Sequence, residues 1–349
     1  MTQRLDSSAA IAAAAAMGQT GAASLARAQS VTALFQGMER IFASNEEPVQ
    51  ACNQLLRDVE GFFNFTRLDH LESRAAGRAG RETLFERPEQ VEAVTGAHYG
   101  GLFAGFSASS YRDEPVRLLT ERLERNGIPR AAIAGRRVLD AGCGGGRYTI
   151  AWRLLGAAEV VGVDISPVNI ATAAQRLAES EVDGVRFVEG NVLALPFPAA
   201  DFDLVFSNGV LHHTVDWRRG IDELLRVLKP GGLGWLYLIE NPGGLFWEMI
   251  EIMRQIMANE EHRLAREILG LMGLPANRIF YMLDHVLAPV NLRLTPQEIE
   301  EALGQSGAVA VRRLTRGTDF DRIERLHRGE AFASVKYGVG ENRYIFSRR

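Results

Sequence analysis

The sequence contains few cysteines, few lysines and no long apolar run. Its only cysteines among 349 residues are Cys52 and Cys143, which lie far apart along the chain. This usage excludes a disulfide framework and a cysteine-rich zinc site, and it is typical of a reducing compartment. We therefore expect a cytoplasmic protein without a bound metal. No run of 18 apolar residues occurs, so we expect no membrane-spanning segment.

The chain also has little excess charge of either sign. The 39 basic and 43 acidic residues leave a net charge of −4, so no global positive field recruits nucleic acid or anionic lipid. Lysine occurs only at Lys229 and Lys336. We attribute this to coding bias, because replacing lysine by arginine is chemically meaningful only at particular sites. An apolar content of 46% over this length predicts one large or two modest globular domains.

The first 128 residues show helical periodicity and no strand alternation. Val31 and Leu34 follow helical spacing, and a further helix is predicted from about Pro115 to Gly127. The alanine-rich start is only weakly hydrophobic and follows an acid and two serines, unlike a signal peptide. We interpret residues 1–128 as a helical lid or, because their apolar stripes permit it, as an element that forms a homodimer.

From residue 136 onward, strands alternate with helices. The spacing predicts a parallel sheet covered on both faces. The alternation pauses at 243–290, where we predict about two helices. It resumes with a capping box at Thr295 and Glu298, which starts a helix ending near Gly304. The seven predicted strands span 138–139, 160–163, 185–188, 203–206, 233–239, 309–314 and 343–346.

A glycine-rich loop from Asp140 to Gly146 joins the first strand to a helix. Such a loop lets the backbone approach a ligand closely, and the helix N-terminus offers free N–H groups. Asp164 ends the second strand 22 residues after Gly142, where an acid can bind the two hydroxyls of a ribose. A dinucleotide fingerprint would need a further glycine where Arg147 stands. A nicotinamide-dependent enzyme is therefore disfavoured, although it stays an alternative.

Four segments carry a resemblance to a known family. The segments are VLDAGCGGGRYT, VVGVDIS, GNVLALPFPAADFDLVFSNGVLHH and LLRVLKPGGLGWLYL. In their order and spacing, the chain resembles the class I S-adenosylmethionine-dependent methyltransferases. The similarity covers about 110–348 and is strongest over 136–240. It implies an α/β, Rossmann-like domain at 129–349, with a seven-stranded sheet whose last strand is antiparallel and a helical cap inserted at 243–292. It also implies S-adenosylmethionine as the cofactor and S-adenosylhomocysteine as the product.

The resemblance places one group of residues beside the methionine part of the cofactor. Gly142, Gly144 and Gly146 would form the loop, with Cys143 inside it. Asp140, at the end of the first strand, would help to place the amino group directly or through water.

A second group would contact the nucleoside and the methyl group. Asp164 would bind the ribose hydroxyls, and Ile165 would pack on the adenine. Asn191 and Val192 stand where relatives often have an acid facing the adenine amino group. The asparagine can still accept that hydrogen bond through its carbonyl oxygen. Asn208, after the fourth strand, would border the transferring methyl.

Four further residues are candidates near the acceptor or the cofactor. His212 and His213 follow the fourth strand, and either could act as a base near neutral pH. The alternative is that one packs and the other borders the cofactor. Glu240, at the end of the fifth strand, is a candidate base or a local cap. Tyr99 precedes the core domain, and in some resembling enzymes an aromatic residue there closes over the cofactor. Plain packing of Tyr99 is the alternative.

The C-terminal segment 312–349 is basic, with ten basic and five acidic residues. Arg322, Arg325 and Arg328 repeat at three-residue spacing and could share one helix face. They would clamp a carboxylate or phosphate of an anionic acceptor, or they would form a solvated face paired with Asp319, Asp321 and Glu324. We favour the solvated face.

These observations predict methyl transfer to oxygen, nitrogen, sulfur or carbon of a small metabolite held under a helical lid. Two alternatives remain besides the nicotinamide-dependent enzyme. One is methylation of nucleic acid such as tRNA, which the lack of a basic patch interleaved with aromatic residues disfavours. The other is a protein that binds S-adenosylmethionine without catalysis, because fold alone does not imply function.

Overall fold

The computed structural model describes residues 5–68, 107, 109–258 and 260–349. The chain divides into two compact units, each assembled from separated segments. The helical unit contains 1–86, 243–288 and 330–338, and the sheet unit contains 87–242, 289–329 and 339–349. The role of the helical segments as a lid stays a prediction.

The elements are labelled in chain order. The helices are α1 (Ser8–Ala16), α2 (Gly21–Ala43), α3 (Pro48–Leu68), α4 (Glu114–Arg125), α5 (Arg147–Leu154), α6 (Pro167–Ser180), α7 (Trp217–Val227), α8 (Gly244–Ile256), α9 (His262–Leu271), α10 (Ala276–Val286), α11 (Pro296–Gln305), α12 (Arg322–His327) and α13 (Ala333–Tyr337). The strands are β1 (Arg137–Ala141), β2 (Glu159–Asp164), β3 (Val185–Glu189), β4 (Phe202–Asn208), β5 (Leu228–Leu238), β6 (Ala308–Arg313) and β7 (Asn342–Arg348).

The seven strands form one sheet in the order β3-β2-β1-β4-β5-β7-β6. Strands β1 to β5 run parallel, whereas β7 runs antiparallel to both of its neighbours. The α/β class, the seven strands and the antiparallel last strand expected from the sequence are confirmed. The strand order reverses between β1 and β4, and open α/β sheets bind ligands at the carboxyl ends of the strands at such a point.

The central strands are apolar without alternation because both of their faces are covered. Val138 and Leu139 of β1 point to opposite faces, yet both are fully buried. Val138 shares a core with Val160, and helices α4 and α5 cover that core. Leu139 shares the opposite core with Val161, under α7 and α11. A strand covered on both faces needs apolar residues at every position, so its sequence reads as a continuous run.

Two local predictions were wrong. The turn expected at 229–232 is part of β5, because Leu228 pairs with β4 and Pro230 pairs with β7. The extra residues are absorbed as a shift in register before Leu233. The insertion contains three helices rather than about two, since Gly273 and the proline at 275 separate α9 from α10.

The predicted capping box is confirmed. Thr295 Oγ1 accepts from the Glu298 amide at 3.2 Å, and the Glu298 carboxylate accepts from the Thr295 amide at 2.7 Å. Helix α11 therefore begins at Pro296, as its sequence indicates. The segment between β6 and β7, expected only to be polar and charged, contains the short helices α12 and α13.

Buried charges hold segments of the helical unit together. Arg27 pairs with Glu260, and both side chains are buried. The Lys336 ammonium donates to the carbonyl oxygens of Phe42 at 3.1 Å and Ser44 at 2.9 Å, at the C-terminal end of α2. A cation at that end complements the helix dipole. Among the described residues, no helix combines the length and apolarity needed to cross a membrane.

Candidate functional site

The loop between β1 and α5 leaves no space for side chains at two of its glycines. Gly142 and Gly146 have φ values of +85° and +84°, which side-chain-bearing residues rarely adopt. A Cβ atom on Gly142 would lie 2.4 Å from a methyl carbon of Val210. One on Gly146 would lie 2.5 Å from the ring of Phe187. The sequence-predicted loop is therefore a tight turn of bare backbone that ends at the N-terminus of a helix. Gly144, between the two, also has positive φ.

Asp164, at the end of β2, is joined to this loop. Its Oδ2 accepts from the Gly144 amide at 2.8 Å, and its Oδ1 accepts from the Ser166 amide at 2.9 Å and from Asn169 Nδ2 at 3.2 Å. Burial raises the pKa of Asp164, while these three hydrogen bonds lower it. A carboxylate has about four lone-pair positions, so one position remains for a ligand hydroxyl.

Asp140, near the end of β1, is a buried carboxyl group beneath the loop. Its Oδ2 accepts a hydrogen bond of 2.6 Å from the Thr149 hydroxyl, in the first turns of α5. Burial raises the pKa of Asp140 to about 7, the bond from Thr149 lowers it, and the charge of Asp164 raises it. The charge of Asp140 therefore responds to pH near neutrality. Thr149 was not predicted from the sequence as a site residue, although it ends the segment VLDAGCGGGRYT.

The other predicted cofactor residues lie around the same loop or at the end of β3. Cys143 is buried, and burial raises the pKa of its thiol well above the usual range, so it is no nucleophile. Ile165 is half-buried directly after Asp164. Val192 is buried, and the Asn191 side-chain oxygen Oδ1 accepts from the Leu193 amide at 2.8 Å.

The segment 208–213 leads from the end of β4 past the glycine loop. Asn208 pairs with Tyr237 of β5, and the Gly209 amide donates to the Tyr237 carbonyl oxygen at 3.2 Å. The Asn208 side-chain oxygen is buried and has no hydrogen-bond partner among the described residues. Val210 then packs against Gly142. An unsatisfied buried acceptor next to a bare loop is a feature that a ligand donor would explain.

His212 and His213 form a single helical turn after this segment, and both are buried. Their ring centres lie 4.1 Å apart. His213 Nδ1 lies 2.6 Å from the Val290 carbonyl oxygen, which can only accept, so Nδ1 carries a proton. In the neutral ring the lone pair therefore lies on Nε2. The structure brings both histidines beside the loop-facing segment, and their role as a base stays a prediction.

Glu240 is fully buried in an ion pair. Its Oε1 accepts from Arg322 Nε at 2.7 Å, and Arg322 Nη2 also lies 3.4 Å from the Tyr237 hydroxyl. Burial alone would lower the pKa of the Arg322 guanidinium, but Glu240 and Glu341 raise it well above its usual range. The sequence offered Glu240 as a base or a cap, and the structure adds this ionic partner.

The remaining C-terminal charges form a partly buried network. Arg122 contacts both Asp321 oxygens at 2.8 Å, and Arg343 lies 3.4 Å from the same carboxylate. Arg328 pairs with Asp319 and lies 3.4 Å from Glu324. The sequence favoured a solvated face on which these arginines pair with acids, and this describes Arg328. It was wrong for Arg322, which points inward to Glu240 and is nearly buried.

One predicted residue lies outside the described part of the chain, and one residue near the histidines was not predicted. Tyr99 lies outside the described residues. Asn291, which sequence reasoning missed, neighbours the histidine turn through Val290 and Leu292. No local sequence signal marks it, because the contact joins residues 77 positions apart. No cluster of three or more metal-ligating side chains occurs in the part of the chain that the structure describes.

Comparison with known proteins gives one family match. The model of the family described as "Methyltransferase domain" matches residues 139–236, from β1 into β5. Curated relatives align over the same region. The 27-O-demethylrifamycin SV methyltransferase of Amycolatopsis mediterranei is 36% identical over 141 residues, which are 39% of this chain and 51% of the relative. The demethylmenaquinone methyltransferase of Clavibacter sepedonicus is 36% identical over 157 residues, 44% of this chain and 59% of the relative.

Solved structures also match. The YcgJ protein of Bacillus subtilis is 20% identical with a TM-score of 0.43, and the match covers 65% of this chain and 98% of that protein. The [4+2]-cyclase SpnF is 18% identical with a TM-score of 0.45, covering 78% of this chain and 99% of that one. The alignments span only about half the length of the first curated relatives. Residues 139–236 thus form a methyltransferase domain, and the seven-stranded sheet with its antiparallel last strand agrees with the resemblance to the class I S-adenosylmethionine-dependent methyltransferases.

Proposed function

We propose that the chain transfers a methyl group from S-adenosylmethionine to a small-molecule acceptor. The observation that carries the proposal is the hydrogen bond from the Gly144 amide of the glycine loop to the Asp164 carboxylate. Together they form a cradle of backbone and carboxylate at the carboxyl ends of β1 and β2, where a nucleoside fits. When bound, S-adenosylmethionine supplies an electrophilic methyl group, whose bond to sulfur breaks as the bond to the acceptor forms.

The residues present fit this cofactor. Asp164 retains a lone-pair position for a ribose hydroxyl, and Asp140 offers a carboxylate for the amino group. A Cβ atom at Gly142 or Gly146 would overlap Val210 or Phe187, so the tight loop beside Asp164 needs glycine at both positions. The unsatisfied Asn208 oxygen would accept from a ligand donor. Cys143, Ile165, Asn191 and Val192 would complete the lining.

Methyl transfer mainly requires alignment of the nucleophile and exclusion of water. If the acceptor is a hydroxyl, its proton must also leave. His213 would take that proton at Nε2, since its Nδ1–H donates to Val290. His212 would support the neighbouring ring, and Glu240 would act through Arg322 rather than on the substrate. The lid role of the helical segments is part of this proposal.

A small acceptor is favoured by the relatives. Their names describe methyl transfer to demethylrifamycin and to demethylmenaquinone. Nucleic-acid methylation, cofactor binding without catalysis and a homodimeric assembly remain secondary interpretations. An acceptor that is anionic would find Arg322 and Arg328 already engaged with carboxylates.

Calorimetry with S-adenosylmethionine tests the cradle first. Asp164→Ala should weaken binding about 100-fold, because it removes a charge-assisted hydrogen bond to the ribose and the bond that holds the glycine loop. Asp183→Ala is the matched control, since Asp183 is an exposed acid that pairs with Arg153 at the surface. Equal affinity of the Asp164 variant and the unmodified protein would overturn the proposal.

The acceptor can be found with methyl-deuterated S-adenosylmethionine and a cell extract separated by size. Label in the small-molecule fraction supports the proposal and identifies the product by mass. Label in RNA would favour nucleic-acid methylation. Binding of the cofactor without label in any fraction would favour a non-catalytic protein.

A further inference from the structure

Asn291 belongs to a short strap that crosses the histidine turn. On one side of it, the Val290 carbonyl oxygen accepts from His213 Nδ1 at 2.6 Å. On the other side, the Leu292 amide donates to the His212 carbonyl oxygen at 2.9 Å. Both neighbours of Asn291 are therefore fixed to the turn, and its backbone position is determined by these two bonds.

Asn291 is half-buried as a residue, but both polar atoms of its side chain are buried and unsatisfied. Neither its Oδ1 nor its Nδ2 has a hydrogen-bond partner among the residues that the structure describes, and both atoms are shielded from solvent. Burying an amide without partners is unfavourable, and folded proteins pair the large majority of such groups. A second unsatisfied side-chain oxygen, that of Asn208, lies at the other end of the same 208–213 segment. The histidine turn is thus preceded along the chain by the Asn208 oxygen and contacted by the strap of Asn291, and within the described part of the chain these side-chain atoms have no hydrogen-bond partner.

We propose that Asn291 hydrogen-bonds the methyl acceptor and determines its chemical class, an inference that rests on the proposed function. Its carboxamide presents an acceptor oxygen beside a donor NH₂. It matches a neutral ligand with a donor and an acceptor side by side, such as a hydroxyl next to a carbonyl. A carboxylate ligand would place one of its oxygens against Oδ1, where two lone pairs repel. Asn208 lies toward the glycine loop through Val210, so Asn291 marks the acceptor side of the histidine turn.

The thermal stability of the free protein tests the premise without any ligand. Asn291→Leu replaces an unsatisfied amide by an apolar side chain of similar size, so the melting temperature should rise. Asn342→Leu is the matched control. Asn342 is a buried asparagine whose Nδ2 donates to the Leu294 carbonyl oxygen at 2.7 Å, so its replacement should lower the melting temperature. A fall for Asn291→Leu would overturn the proposal, because the side chain would then be engaged in the fold.

The second measurement uses the small-molecule fraction of a cell extract and methyl-deuterated S-adenosylmethionine. Asn291→Leu should form the labelled product about ten- to a hundredfold more slowly at limiting acceptor, with cofactor affinity by calorimetry unchanged. An unchanged rate would contradict the proposal. If the proposed function itself is wrong, the result is a different one, because the unmodified protein will then not bind the cofactor or will not label any compound. In that event the melting comparison alone decides whether Asn291 is unsatisfied.

Discussion

The Thr149 hydroxyl donates a 2.6 Å hydrogen bond to Asp140, and both side chains are buried beneath the glycine loop. This pair controls whether Asp140 carries a negative charge at neutral pH. Burial raises the pKa of Asp140 to about 7, and the bond from Thr149 limits that rise. A carboxylate attracts the ammonium group of a bound methionine moiety, whereas a neutral carboxylic acid does not.

Cofactor affinity should therefore depend on Thr149 and on pH. Affinity should fall as pH drops through about 7, because Asp140 then takes up a proton. Thr149→Val removes the donor at nearly constant shape, so the fall should begin at a higher pH. Thr149→Ser keeps the hydroxyl and is the control. Calorimetry with S-adenosylmethionine from about pH 5.5 to 8.5 measures this, and identical profiles for the two variants would contradict it.

The stability of the free protein should also depend on pH through Asp140, but in the opposite direction to the cofactor affinity. A folded-state pKa near 7, above the unfolded value of about 3.9, means that Asp140 contributes stability below pH 4 that is lost as pH rises through 7. Asp140→Asn should therefore raise the free energy of unfolding at pH 8, by on the order of a few kcal/mol, and change it little at pH 4. Urea unfolding at both pH values measures the difference.

Asp203→Asn provides a control of opposite sign. Burial would raise the pKa of Asp203, but hydrogen bonds from Lys229 and from the Arg137 amide lower it overall. Its contribution to stability is present above the unfolded pKa and is lost in acid. Asp203→Asn should thus reduce stability at pH 8. The Asp140 prediction fails if both variants change stability in the same direction there.

Gly142→Ala should destabilise the fold and abolish the bare surface of the loop. Its Cβ atom would overlap the Val210 methyl groups, at 2.4 and 2.5 Å, and φ would stay positive. We expect a loss of about 1–3 kcal/mol in the free energy of unfolding. Adding Val210→Ala should restore part of this loss, since it relieves the overlap but not the backbone strain.

Gly304→Ala is the matched control for that substitution. Gly304 lies within α11, has no heavy atom near its potential Cβ and has no positive φ. Alanine there should be neutral or stabilising, by up to about 1 kcal/mol. A Gly142→Ala variant as stable as the Gly304 control would contradict the tight packing of the loop.

Glu240→Gln should destabilise the sheet unit rather than remove a base. The substitution leaves the buried Arg322 guanidinium without its 2.7 Å ionic partner, which typically costs about 3–5 kcal/mol. The double variant Glu240→Gln with Arg322→Met should recover much of that loss, because the Arg322 charge is removed together with its partner at Glu240. Urea unfolding of the single and double variants gives the coupling energy. A folded double variant that loses methyl transfer while binding the cofactor normally would instead support Glu240 as the base.

The elements that the sequence predicted share a local cause. Strands β1 and β2 were recognised because continuous apolar runs are needed where both faces are buried, as at Val138 and Leu139. The tight loop was recognised because Gly142 and Gly146 tolerate no Cβ atom. The turn expected at 229–232 failed because sheet pairing on both sides overrode a local glycine-proline signal.

The amino-acid sequence by itself determined the class of the sheet, the glycine loop and the acid that follows the second strand. These depend on periodicity, on steric room at single residues and on short spacing. Only the tertiary structure decided which groups meet across long separations: Glu240 with Arg322, 82 positions away, and the strap at Asn291 with the histidine turn. The physical reason is that such partners are set by strand order and by the burial that crossing segments create. Burial then changes the chemistry of residues such as Asp140, whose type alone would indicate a charged carboxylate at neutral pH.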